Sequence, residues 1–181
     1  RTREIAEVLY KEGISADFYH AGLVAEDKND KQNKWKSDQT RVMVATNAFG
    51  MGIDKPNVRT VIHYDLPSSL EEYYQEAGRA GRDGMKSDTL LFYSVGDLIQ
   101  HRRFAEESGQ KEINLQKIDR MRRYCEADIC RRRILLSYFG EEINHDCGNC
   151  DVCKNPPKRF DGSILVQKAL SGIYRTYQQC N

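Results

Sequence analysis

No stretch of this 181-residue chain comes near the roughly 18 consecutive apolar residues that a membrane helix requires, so no membrane-spanning role is expected. The first residues, RTREIAEVLYKEG, lack the apolar core of a secretory signal and an initiating methionine, and the chain reads as a fragment of an intracellular protein. An excess of one charge is missing too. Twenty-eight Lys and Arg face 27 Asp and Glu, a net charge of +1, so any basic surface for nucleic acid must be local. No GxxxxGK(S/T) segment occurs, and no acidic magnesium-binding motif accompanies one, which excludes a self-contained cradle for the phosphates of ATP. Repeats and low-complexity tracts are absent as well. What remains is 39% hydrophobic and 30% charged, enough for a modest core in one domain or two small ones. Six cysteines without secretory features fit a reducing compartment, where clustered cysteines more often bind metal than pair as disulfides.

Helices and short apolar strands alternate through the first two thirds of the chain. Arg1 to Glu12 reads as a helix with Ile5, Val8 and Leu9 on one face and Gly13 as its stop. Ala16 to Tyr19 is a strand, Glu26 to Lys36 a polar helix, and Arg41 to Ala45 an apolar run of the kind buried on both faces of a parallel sheet. Thr60 to Tyr64 is a further strand. Ser68 and Glu71 form a capping box for the helix that runs toward Ala77. Thr89 to Tyr93 is the last strand, and Ser94 with Asp97 marks another helix start. This alternation implies an α/β fold with a parallel sheet, right-handed crossovers and a ligand site at the carboxyl ends of the strands. From about Glu112 the strand signal ends. Ile113 to Gly140 reads as a helical hairpin, Asn144 to Pro157 as a polar cysteine-rich loop, and Ile164 to Tyr177 as an amphipathic helix.

Three stretches carry chemistry. YYQEAGRAGRDG, Tyr73 to Gly84, places glycines at 78, 81 and 84 around Arg79 and Arg82. Glycine costs about 1 kcal/mol in a helix, so three so close imply close backbone approach, to backbone or to a ligand. Arginines held there suit phosphate, because the guanidinium is permanently charged and forked; a glycine-rich turn with two solvated arginines is the alternative. CGNCDVC places Cys147, Cys150 and Cys153 in two successive CxxC spacings, which suit one tetrahedral Zn²⁺. The fourth ligand is Cys125, Cys130 or His145. On a helix Cys125 and Cys130 would diverge by about 140° and could not easily share an ion. Six arginines between positions 120 and 133 (Arg120, Arg122, Arg123, Arg131, Arg132 and Arg133) form the local basic surface, either tracking phosphates or paired within the protein.

ATNAFGMGIDKPNVR, followed by YYQEAGRAGRDG and the cysteine cluster, resembles motifs V and VI and the zinc module of the RecQ family of superfamily 2 DNA helicases, over essentially the whole chain. The resemblance implies a RecA-like parallel sheet with flanking helices at residues 1–108, a mostly helical zinc-binding subdomain at 109–157, and the first helix of a truncated winged-helix domain at 158–181. It also implies that the sheet's first strand, carrying motif IV, precedes Arg1, either in a segment not included or as a gap in the folding unit. Arg82 is then the arginine finger, with Arg79 beside it on the γ-phosphate, Gln75 coupling nucleotide to motif V, and Asp54 meeting the ribose. ATP and Mg²⁺ are held mainly by a first RecA-like domain of the same protein. Thr46 matches a threonine that hydrogen-bonds a DNA phosphate, helped by the N–H groups of Gly50 and Gly52. Asn57 and Arg59 extend that contact or serve the turn, and His20 contacts DNA or is a structural hydrogen-bonding group. Arg131 and Arg132 are the arginines assigned to DNA.

The family pattern selects Cys130 as fourth zinc ligand, leaving Cys125 a buried thiol, His145 a loop residue and Cys180 unassigned. The implied activity is ATP-driven 3′ to 5′ DNA unwinding at single-strand and duplex junctions, in the nucleoid-containing cytoplasm of a bacterium or the nucleus of a eukaryote. A non-enzymatic zinc module that binds nucleic acid, and an RNA helicase, are the competing readings.

Overall fold

A computed structural model describes residues 1–49, 54–158 and 160–175, which fall into two compact units, Arg1–Met121 and Arg122–Asn181. The first unit opens with helix α1 (Thr2–Lys11), then β1 (Ala16–Tyr19), α2 (Ala25–Lys36) and β2 (Val42–Ala45). After motif V come β3 (Thr60–His63), α3 (Leu70–Ala77), β4 (Asp88–Leu91) and α4 (Val95–Glu106). Helix α5 (Lys111–Glu126) leads into the second unit, which holds α6 (Arg131–Tyr138), the short α7 (Asp151–Lys154) and α8 (Ser163–Arg175).

Parallel pairing is present, but in two pieces. β1 lies beside β2 with Ala16 opposite Val42 and Tyr19 opposite Ala45, and β3 lies beside β4 with Thr60 opposite Asp88. Among the described residues each strand therefore has a single neighbour. The both-face burial expected for Arg41 to Ala45 is not seen: Val42 to Val44 are half-buried and Ala45 is exposed. Each strand keeps an unpaired edge, and a strand with one neighbour cannot be enclosed as a central strand is. The described residues contain no strand before α1. In α1, Ala6 is buried and Ile5 and Leu9 half-buried, but Val8 stays 59% exposed, so the apolar face is narrower than its sequence period.

One helix start differs from the sequence expectation. The N-cap of α3 is Ser69, not Ser68: its hydroxyl accepts from the Glu72 N–H at 3.2 Å. Glu72 returns the contact one residue early, accepting from the Ser68 N–H at 2.9 Å and its hydroxyl at 2.8 Å. Ser94 caps α4 through the Gly96 N–H at 3.1 Å, so the helix start expected there is present, with Asp97 in its first turn. The Asp97 carboxylate accepts from the Leu66 N–H at 3.0 Å, while His101 Nε2 meets the Leu66 carbonyl at 2.6 Å, so α4 grips the turn after β3. Leu66, 2% exposed, is among the deepest side chains of this unit.

Candidate functional site

Motif V leaves the end of β2, where the Thr46 N–H donates to the Tyr19 carbonyl at 3.1 Å and extends the β1–β2 ladder by one bond. Thr46 itself is exposed, as a phosphate contact requires. The turn closes with the Phe49 N–H on the Thr46 carbonyl at 2.9 Å, and the Phe49 ring packs edge-on against Tyr19 and Trp35 at 4.8 and 5.2 Å. Asn47 donates its amide to Glu72 and so ties this turn to the start of α3. Gly50 and Gly52, whose N–H groups were assigned to DNA, lie outside the described residues.

Lys55 secures the other side of motif V. Its side chain is 8% exposed, and Nζ donates to the Trp35 carbonyl at 2.8 Å and to Asp38 at 2.6 Å, with the Trp35 ring 5.1 Å away. A cation on the last carbonyls of α2 meets the negative end of the helix dipole. The Lys55 ammonium also holds the Asp38 carboxyl below the usual carboxylate range. Asn57 reaches the same carboxylate at 3.5 Å.

Motif VI begins in α3 and continues past its end as tight turns. Gly81 adopts φ +67°, and a Cβ there would lie 2.8 Å from the Met85 carbonyl oxygen and 2.5 Å from Ser87 Oγ. Here the glycine run does serve close backbone approach. The Gly81 N–H donates to the Val58 carbonyl at 2.9 Å, and Asp83 N–H to Pro56 at 3.3 Å, so the two motifs are bonded through their backbones. Side chains add to this. Arg82 Nη1 lies 3.0 Å from Asp54, and Arg59 pairs with Asp83 while donating to the Asn57 and Lys86 carbonyls at 3.1 and 3.3 Å. Arg59 is thus engaged within the protein. Arg82 and Asp54 are 42% and 79% exposed, so their pairing is screened and either can turn to a ligand. Arg79, Arg82, Lys55, Trp35, Phe49 and Val58 share one small cleft, and Gln75 is exposed on α3. His20 stacks on Phe18 at 5.9 Å and is only partly exposed.

In the second unit the sulfurs of Cys130, Cys147, Cys150 and Cys153 lie within 4.8 Å of one another. Cys150 and Cys153 are 3.3 Å apart, and Cys147 and Cys153 3.9 Å. Four ligands at about 2.3 Å around a tetrahedral Zn²⁺ have sulfurs about 3.8 Å apart, so the donor set and its span both fit zinc. Backbone amides already aim at the sulfurs: Cys147 N–H at Cys130 from 3.3 Å and Cys153 N–H at Cys150 from 3.4 Å. Burial pushes the Cys130 thiol up, but the N–H groups of Cys147 and Arg133 and the thiols of Cys147 and Cys153 outweigh it and bring it to about 6. Cys153 takes the opposite direction, pushed up to about 12 chiefly by its hydrogen bond with Cys150. Cys130 thus takes on thiolate character from its hydrogen bonds, as a metal-binding thiol does. Gly148, at φ +70°, makes the turn between Cys147 and Cys150.

The helix argument against Cys125 sharing the ion with Cys130 does not apply, because the two are not on one helix. Cys125 sits in α5, whereas Cys130 is the N-cap of α6 after a break at residues 127–130. Cys125 stays out of the cluster, and burial pushes its thiol up to about 11. His145 is exposed and also outside it, and Cys180 lies beyond the described residues.

A contact that spacing did not reveal braces the site. Arg131, next to Cys130, grips Asp151, next to Cys150, through Nε at 3.0 Å and Nη2 at 2.9 Å, and also donates to the Tyr124 carbonyl. The guanidinium beside Asp151 holds that carboxyl below its usual range. Arg133 meets Asp146 at 3.2 Å, and Arg122 pairs with Glu126. Arg132 is exposed on α6. An Arg and an Asp each directly following a ligand was the only sequence sign of this brace.

Comparison with known proteins agrees with these features. The model of the helicase conserved C-terminal domain matches residues 1–84, and that of the RecQ zinc-binding module matches residues 95–154. The ATP-dependent DNA helicase RecQ of Pasteurella multocida is 46% identical over 99% of this chain, and that of Bacillus subtilis 40% identical over 94%; the chain spans 29% of each. The RecQ-like DNA helicase BLM of Xenopus laevis is 50% identical over 82% of this chain and 12% of its own length. Among solved structures, the E. coli DEAD-box protein SrmB aligns with 61% of this chain and 65% of its own at TM-score 0.51 and 25% identity.

Proposed function

Because the chain belongs to the RecQ family of superfamily 2 helicases, as the C-terminal part of the helicase core joined to the RecQ zinc-binding module, we propose that it supplies one side of an ATP-driven DNA-unwinding motor. The observation that carries this reading is the interlock of motifs V and VI, in which Gly81 bonds Val58 and Arg82 meets Asp54. A phosphate-binding loop and an arginine pair joined by backbone bonds can transmit a change at one to the other.

In this reading Arg82 swings from Asp54 to the γ-phosphate of ATP held by a first RecA-like domain, where it offsets the charge that builds on the transferred group. Arg79 supports it, Gln75 faces the same nucleotide, and Asp54, released, meets the ribose. Thr46 holds a DNA phosphate without reading sequence, and Arg132 adds charge on the zinc-module side. Asn57, Arg59 and Arg131 make intramolecular bonds, which supports a part in fixing the shape of the loops that meet DNA. Zinc has no catalytic part, because four thiolates close its shell and leave no position for water or substrate.

The test is Arg82→Ala in the intact enzyme. DNA-stimulated ATP turnover should fall by roughly 10³-fold or more while ATP affinity changes much less. Collapse of ATP binding with a normal residual rate would contradict the finger assignment.

A further inference from the structure

The most deeply buried imidazole in the motor unit lies beneath motif VI and takes part in none of the chemistry above. His63, the last residue of β3, has a side chain only 4% exposed. Its Nε2 lies 3.1 Å from Glu76 Oε2, yet off the line of a hydrogen bond, and neither ring nitrogen has a hydrogen-bond partner among the described residues. The ring rests on Tyr73, itself 6% exposed, at a centroid distance of 4.9 Å. Tyr73 and Glu76 are one turn apart on α3, so both grip the same imidazole.

A histidine chosen only to fill this space is a poor choice. A buried polar atom without a partner is destabilising, and an apolar ring of similar size would avoid that loss. What the imidazole adds is a direction. With the proton on Nε2, the charged group beside it is the Glu76 carboxylate, 3.1 Å away in a short polar contact that is not an aligned hydrogen bond. Glu76 in turn leads to the motif VI arginines, because its carbonyl accepts from the Arg79 N–H at 3.2 Å. The Tyr74 carbonyl takes the Gly78 N–H at 2.9 Å, and the Gly81 N–H is fixed on Val58. The line from sheet to arginine therefore runs His63, Glu76, Arg79, with one short step at each end.

We propose that His63 and Glu76 are a positioning pair that sets where the motif VI arginines stand relative to the sheet, and so tunes the transition state rather than the stability of the fold. This rests on the reading of Arg79 and Arg82 given above. Neither member touches nucleotide. Their effect is geometric, and a displacement of about 1 Å at a reacting group can cost on the order of 10²-fold in rate.

The test uses His63→Phe, Glu76→Ala and Glu76→Gln in the intact helicase, with DNA-stimulated ATP turnover and thermal melting measured on each. His63→Phe keeps the ring and removes the two unpartnered nitrogens, so its Tm should hold or rise while kcat falls about 10-fold or more and KM for ATP moves less than about 2-fold. Glu76→Ala should lower kcat similarly. Glu76→Gln, which keeps a side chain of the same shape with a polar oxygen beside Nε2, should recover most of it. Wild-type turnover matched by both His63→Phe and Glu76→Ala would overturn the pair alone. A fall in kcat that follows a fall in Tm across the variants would make the pair merely structural and overturn it too. A wild type without ATP turnover would overturn the functional reading, and this proposal with it.

Discussion

Buried apolar side chains gather in residues 1–121, where Leu66, Leu70, Tyr73, Leu98, Ile118 and Met121 are almost wholly removed from water. In residues 122–181 the described side chains that reach such depth are Tyr124 and Cys130, and one of those is a metal ligand. The first unit also has parallel strand pairs and backbone bonds between its loops, whereas the second has short helices tied by Arg131–Asp151, Arg133–Asp146 and four sulfurs. The difference teaches how each holds its shape. The motor unit can position phosphate-binding loops on a scaffold stabilised by burial, but the zinc module buries too little and must draw stability from its ion.

The sharpest way to break this contrast is to remove one ligand. Cys130→Ser should lose zinc and soluble yield, because binding of a structural Zn²⁺ contributes on the order of 10–16 kcal/mol that residues 122–158 cannot replace. Cys125→Ser should keep one equivalent, since that thiol lies outside the cluster. Metal analysis of both variants decides the ligand set, and loss of zinc from Cys125→Ser would contradict it.

A smaller effect is expected from the brace. Arg131→Ala should leave zinc bound but weaken it by about 10–100-fold in competition with a chelator, the range found for groups that orient metal ligands. Arg131→Lys should not restore it fully, because an ammonium cannot reproduce the two-pronged grip on Asp151. Unchanged affinity would mean the four sulfurs organise themselves.

The smallest effect separates the neighbouring arginines. Arg132→Ala should leave zinc and stability alone and flatten the salt dependence of DNA binding by about 0.7–0.9 in log–log slope if one phosphate contact is lost. An identical slope would remove Arg132 from the DNA surface.

Much of this was legible in the sequence for identifiable reasons. β1 was placed at its observed ends, and the other strands within a residue or two, because a polar helix or glycine-rich turn bounds each apolar run. The three clustered cysteines were legible because metal spacing is local. Where local spacing is degenerate the reading slipped: SSLEE satisfies a capping box from Ser68 or from Ser69, and only the packed helix chooses Ser69. Ser94 with Asp97 marked the start of α4, but the pattern says nothing about the bond between Asp97 and Leu66, 31 residues upstream. Arg131 and Arg132 were indistinguishable as charges, since their directions depend on where α6 begins, and the helix break before Cys130 was not apparent. Such pairings are tertiary, and no window along the chain contains both partners.

The most direct test of the division between a burial-held motor unit and an ion-held module is amide hydrogen exchange on the intact protein during titration with a zinc chelator. Protection should be lost across residues 122–158, while β1 to β4 and α3 stay protected throughout, including after metal removal is complete. Simultaneous loss of protection in both units, or none in the second after zinc has gone, would contradict the account.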